Sequence, residues 1–220
     1  MECALCGAGL IEADEIGCGI CGGCKASIAP VEGERCVVCG KPLVSEIGTC
    51  LTCRNNPSHS YERLWVLYPY MGKYRKLLTA YKFNKNLALA DFFAEKVAQI
   101  ITNEPLLKEA VIVPIPIRPG KIKHSGWDQV DYLIKRVIKA AAGRSVNRCL
   151  KRKKSKVQKE LNRRERLDNL KNKIYMKGSA PKTALLIDDV ITTGSTMEIC
   201  AQTLKANGAQ KVYGICLCYD

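Results

Sequence analysis

Eight cysteines set in four C-x-x-C pairs within the first 53 residues, Cys3 with Cys6, Cys21 with Cys24, Cys36 with Cys39 and Cys50 with Cys53, leave the start of this chain very few ways to fold. A C-x-x-C turn aims two thiolates at one point, and two such turns complete a tetrahedral four-thiolate shell with Zn–S bonds of about 2.3 Å. The spacing predicts two Zn2+ sites in a double zinc ribbon over residues 1–55. Four protein ligands leave no open coordination position, so both sites are expected to be structural rather than catalytic. Cys18, three before Cys21, makes an overlapping C-x-x-C. Cys21 and Cys24 are preferred because Lys25 to Ile28 can follow them as a short turn; a shell with Cys18 in place of Cys24, and the order in which the turns pair, stay open. A segment this small buries too little apolar surface to fold alone, and each ion is expected to contribute about 10–16 kcal/mol.

The other reading of so many cysteines, a disulfide scaffold, belongs to exported chains. Here the start Met1-Glu2-Cys3 has neither a basic nor an apolar leader region, and no apolar run approaches the roughly 18 residues that would span a bilayer. The expectation is a cytoplasmic protein that is not membrane-spanning. With 220 residues, 47% of them hydrophobic, the chain can bury a sizeable core, which excludes disorder as a whole-chain reading. Its formal charge of +14 is uneven: residues 144–173 hold 13 Lys and Arg against 3 acids. A partner rich in negative charge is expected, met by a basic insert. His59, past the last cysteine pair, is expected on a surface loop.

Beyond a polar linker, strands are expected at residues 64–70, 110–115, 183–187 and 211–217. Helices are expected at 73–82, 88–102 and 129–142, with another after residue 196 that ends near Ala206. Strand and helix alternate, which predicts an α/β fold, a mostly parallel sheet flanked by helices, over residues 61–220. Ligands of such sheets bind at the carboxyl ends of the strands.

One such end carries the sharpest pattern in the chain, Asp188-Asp189-Val-Ile-Thr192-Thr193-Gly194-Ser195-Thr196. Two carboxylates close an apolar strand and a hydroxyl-rich glycine turn opens a helix. Backbone N–H groups and hydroxyls of such a turn suit a phosphate, and carboxylates suit vicinal sugar hydroxyls. The Gly-Lys-Thr ending of a Walker loop is absent. A plain acidic strand end with a Ser/Thr helix cap would not require all these positions together.

This segment resembles the phosphoribosyl pyrophosphate (PRPP) signature of type I phosphoribosyltransferases. Together with the cysteine pairs, Val113-Pro114-Ile115-Pro116, Tyr81-Lys82-Phe83, Gly126-Trp127-Asp128-Gln129 and a Q-x-x-L-x-x-x-x-R-x-x-N pattern from Gln158 to Asn169, it resembles the ComF (ComFC) family of competence proteins over essentially the whole chain. The resemblance implies a double zinc ribbon ahead of a type I phosphoribosyltransferase-like domain with a hood at about 144–173. It makes Asp188 and Asp189 the ribose contacts, Thr192, Thr193, Gly194, Ser195 and Thr196 the 5-phosphate cradle, and Arg118 a contact near pyrophosphate, which is held with Mg2+. At 124–129 the family's R-G-F-N-Q is replaced by Ser125, Gly126, Trp127, Asp128 and Gln129, so one expected anion contact is lost.

Two functions follow from different classes. The first is a competence protein that binds PRPP and handles incoming single-stranded DNA, with Lys151, Arg152, Lys153 and Lys154 tracking the DNA backbone and a helicase or another protein of the competence machinery as partner. The second is a phosphoribosyltransferase, a glycosyltransferase of nucleotide salvage or amidophosphoribosyl type. It would transfer ribose 5-phosphate to a small acceptor, with Asp188, Asp189 and the hood's Lys159 as the catalytic candidates. A PRPP sensor that binds without reacting is a third outcome.

Overall fold

The computed structural model describes residues 1–28, 33–120, 122, 126–153 and 173–220. Lys154, Lys159, His124, Ser125 and the pattern from Gln158 to Asn169 lie outside the described residues.

In the head, each second cysteine pair runs directly into a short helix. Cys21 caps α2 (Gly22–Ser27) and Cys50 caps α3 (Leu51–Asn55), so Cys24 and Cys53 sit within these helices. Helix α1 (Ala13–Cys18) is tied to α2 by Glu15, whose carboxylate accepts from the backbone N–H of Gly22 at 2.6 Å.

The body begins with β1 (Arg63–Pro69), followed by α4 (Gly72–Lys82), α5 (Leu89–Asn103), β2 (Val111–Pro114) and α6 (Gln129–Ala140). Strands β3 (Leu150–Arg152) and β4 (Ile174–Met176) form an antiparallel pair of their own. The chain closes with β5 (Thr183–Ile191), α7 (Ser195–Ala206) and β6 (Lys211–Tyr219). The main sheet has the order β1-β6-β5-β2 with every pair parallel.

Alternation along the strands decides what covers each face. Leu185 and Ile187 of β5 pack with Leu77, Phe93 and Leu133 from α4, α5 and α6, whereas Ala184 and Leu186 pack with Met197, Cys200 and Leu204 of α7. The result is a three-layer α/β body, as the strand-helix alternation predicts. β5 is longer than the sequence suggests. Its pairing with β6 continues through Asp188↔Cys216 to Ile191↔Tyr219, so both aspartates are strand residues.

The head shares the body's core. Leu10, Ile20 and Ile28 belong to the same buried cluster as Leu89 and Phe93, and the ammonium groups of Lys73 and Lys76 donate to the carbonyls of Ser27 and Leu5. The second ribbon docks on the edge strand. Val38 O accepts from Leu64 N at 2.8 Å, and Arg35 Nη1 donates to Gly40 O at 3.0 Å and Val66 O at 2.7 Å. Gly40 has φ +68°, and a Cβ there would stand 2.7 Å from Leu64 O, so only glycine permits this approach.

Candidate functional site

The eight predicted thiols gather into two groups, Cys3, Cys6, Cys21 and Cys24, and Cys36, Cys39, Cys50 and Cys53, with every sulfur of a group within 4.8 Å of the others. Cys6 Sγ lies 3.7 Å from Cys21 Sγ, and Cys39 Sγ 3.7 Å from Cys50 Sγ. A tetrahedral shell with Zn–S bonds of about 2.3 Å requires edges of about 3.8 Å, so both groups fit structural zinc. The turns pair in chain order, first with second and third with fourth. Cys18 lies outside the shell, its Sγ directed at the carbonyls of Glu15 (3.7 Å) and Ile20 (3.5 Å). In Cys3 and Cys36 burial pushes the thiol up, but backbone N–H groups outweigh it and lower the thiol to about 6 and about 7. In Cys24 and Cys39 burial leads and pushes the thiol up to about 12.

At the carboxyl end of β5 the two aspartates diverge, because neighbouring strand residues face opposite sides of a sheet. Asp189, 7% exposed, turns toward α4 and α6. Its Oδ2 accepts from Lys82 Nζ at 2.9 Å and from Gln129 Nε2 at 2.7 Å, and Tyr81 Oη donates to Gln129 O at 2.6 Å. Burial, with the Asp189 charge next in order, pushes the Tyr81 phenol far above its ordinary range, so it stays a donor. Asp188 turns to the other face, where its Oδ1 accepts from Asp189 N at 2.8 Å. After Ile191 the turn reaches α7 through Gly194, whose φ of +74° suits glycine. Thr193 Oγ1 and Ser195 Oγ stand 2.9 Å apart within it. Thr192, Thr193, Gly194, Ser195 and Thr196 are therefore gathered at the start of a helix of 12 residues, beside both carboxylates.

Of the basic candidates, Lys151 lies in β3 and Lys153 directly after it, and Lys153 Nζ stands 5.7 Å from the centre of the Tyr175 ring. Arg152 lies between them. Burial, then the neighbouring Arg118 guanidinium, lowers its pKa, while Asp188 acts in the opposite sense, and its Nε is buried without a hydrogen-bond partner among the described residues. Arg152 is thus near enough to both Arg118 and Asp188 to feel their charges.

His59 departs from the surface-loop expectation. Its side chain is only 7% exposed, its ring tilted by 31° against Tyr61 with ring centres 5.0 Å apart, and its Nδ1 lies 3.7 Å from Glu198 Oε2. Glu198, in the first turn of α7, also accepts from Ser60 N (3.2 Å), Ser60 Oγ (2.7 Å) and Gln202 Nε2 (2.9 Å). Burial pushes its pKa up, but these bonds outweigh it and hold the carboxyl below its ordinary value. A cavity of about 240 Å3 lies between this cluster, Cys50, Cys53, Thr193 and Gly194. Lys82, Gln129 and Glu198 carry no site role in the sequence reading. The available signal was a polar residue on a buried helix face.

The geometry defines a class: a small α/β protein with a parallel four-stranded sheet, whose head carries two four-cysteine sites. Comparison with known proteins narrows it. The chain is 27% identical to Competence protein ComFC of Streptococcus pneumoniae over 96% of its own length and 97% of that protein's. It is 28% identical to Competence protein F of Haemophilus influenzae, over 88% and 87%, and 26% identical to the DNA utilization protein YhgH of Escherichia coli K12, over 91% and 90%. No family model matches. Among solved structures, a Staphylococcus aureus hypoxanthine phosphoribosyltransferase aligns with a TM-score of 0.37 at 13% identity, covering 59% of this chain and 65% of its own. The phosphoribosylpyrophosphate synthetase of Mycobacterium smegmatis aligns at 0.33 and 15%, covering 55% and 33%. At these scores neither alignment bears weight. Over most of their lengths the chain is similar to competence and DNA-utilization proteins of the ComF type, and its two four-cysteine groups match that similarity.

Proposed function

We propose that this protein belongs to the ComF family, binds PRPP at the carboxyl end of β5 and acts in handling incoming single-stranded DNA. Residues 1–55 would serve as the double zinc ribbon and 61–220 as the phosphoribosyltransferase-like body. The observation that carries the reading is the convergence at one strand end of two carboxylates, a hydroxyl-rich glycine turn opening α7, and two guanidinium groups. Thr192 to Thr196 receive the 5-phosphate with the helix N-terminus behind them. Asp188 and the Oδ1 side of Asp189 face the ribose hydroxyls. Arg118 and Arg152, whose Nε is buried without an acceptor among the described residues, suit the pyrophosphate end. Mg2+ bound with PRPP would neutralise part of the charge of the leaving group. In any transfer, positive charge on the ribose ring would develop next to the carboxylates and negative charge on pyrophosphate next to the arginines, which is the arrangement that lowers such a barrier.

The DNA half of the reading rests on the names of the relatives and on Lys151 and Lys153, in and directly after β3. A backbone contact of this kind is sequence-tolerant and weakens with salt. The test is calorimetry with PRPP and Mg2+ alongside titration with a single-stranded oligonucleotide. The Lys151→Glu, Lys153→Glu double variant is expected to bind PRPP within about threefold of wild type and DNA at least about tenfold more weakly at low salt. Unchanged DNA affinity would remove the DNA assignment.

A further inference from the structure

We infer that His59 is a phosphate-binding residue of the same site, so that the linker leaving the second cysteine group supplies one wall of the pocket that the turn Thr192–Thr196 opens. The inference rests on the PRPP reading and adds to it a residue from outside the phosphoribosyltransferase-like motifs. Its basis is the cavity of about 240 Å3 whose lining includes His59, Thr192, Thr193 and Gly194. A phosphate group fits that space with room for its first carbon.

The imidazole is built in rather than incidental. More than nine-tenths of the side chain is buried, the tilted Tyr61 ring lies against it, and Nδ1 is directed at the Glu198 carboxylate. The other nitrogen, Nε2, is buried and has no hydrogen-bond partner among the described residues, and His59 is one of the residues that line the cavity. Leaving a buried polar atom unpaired is costly, and a ligand is the usual remedy. Held by a carboxylate at Nδ1, the ring in its charged form donates from both nitrogens, one to Glu198 and one to a phosphate oxygen. Lys41 lines the same cavity, as do Asp220 and the cysteines Cys39, Cys50 and Cys53. Glu198 belongs to the helix whose N-terminus faces the phosphate, so one α-helix would hold the ligand directly and also aim the histidine at it.

The experiment uses the zinc-loaded full chain and two probes, PRPP with Mg2+ and ribose 5-phosphate. His59→Phe keeps the ring and the Tyr61 contact but removes the donor, and is expected to weaken both probes about tenfold or more. His59→Gln, whose amide reaches the Nε2 position, is expected to stay within about threefold of wild type. Pyrophosphate alone should bind equally to all three proteins. Because the chain has only two histidines, imidazole nitrogen NMR of the wild type provides a measurement that needs no change at His59. One imidazole signal, assigned by its persistence in His124→Asn, is expected to move on saturation with ribose 5-phosphate. If wild type binds PRPP but His59→Phe binds ribose 5-phosphate as tightly and no imidazole signal moves, the inference falls and the PRPP reading stands. If wild type binds neither probe, both fall together.

Discussion

Asp189 Oδ2 accepts from both Lys82 and Gln129, so this carboxylate is held in place by two side chains from different helices. Lys82 is 12% exposed in its side chain, so the pair is buried and its geometry is fixed by α4 and α6 rather than by solvent. Removing one member of such a pair strands the other as an uncompensated charge. Lys82→Met is therefore expected to lose about 3 kcal/mol of stability in denaturant unfolding. A loss near zero would mean that Asp189 does not depend on Lys82. The sequence made Asp188 and Asp189 visible, because two carboxylates closing an apolar strand break its pattern. Lys82 and Gln129 stayed hidden as partners. Each follows or precedes an ordinary helical run, and only the packing of α4 and α6 over the same end of β5 brings them together.

At the scale of elements, β5 and α7 with the turn between them form the unit that holds the site. Glu198 fastens that unit to the linker through Ser60 and His59. Its folded pKa is lowered from 4.5, so the stabilisation is fully present above that value and is lost as pH falls through the lower, folded pKa. Glu198→Gln is expected to cost about 1–3 kcal/mol near pH 7 and progressively less below about pH 4. Thermal unfolding of both proteins across pH 3–8 measures this, and a penalty independent of pH would contradict it. The sheet itself was legible as alternating strands and helices. The continuation of β5 past Ile187 was not, since two aspartates read as the end of a strand, while pairing with β6 carries the backbone on to Ile191. The placement of His59 was equally beyond reach, because the contact with Glu198 joins residues 139 positions apart.

For the molecule as a whole, the ribbon head and the α/β body share apolar packing instead of meeting across a flexible joint. Leu10, Ile20 and Ile28 lie in one cluster with Leu89 and Phe93, and Arg35 and Gly40 dock the second ribbon on β1. Removing zinc should therefore weaken the body as well as the head. A strong chelator is expected to lower the melting midpoint of the body by at least about 10 °C. A body transition that stays in place would show that the two units are independent. Zinc also alters the electrostatics, since each four-thiolate site carries a net −2 and two of them reduce the formal +14 to about +10. Much of what remains lies within residues 144–173, the segment that includes Arg152, proposed above as a pyrophosphate contact. The central claim is that this pocket takes PRPP. Calorimetric titration of PRPP with Mg2+ into zinc-loaded wild type and into the Asp188→Ala, Asp189→Ala variant tests it most directly. Saturable binding at one site in wild type, reduced at least about a hundredfold in the variant, is the expected result; equal affinity in the two proteins would contradict the assignment.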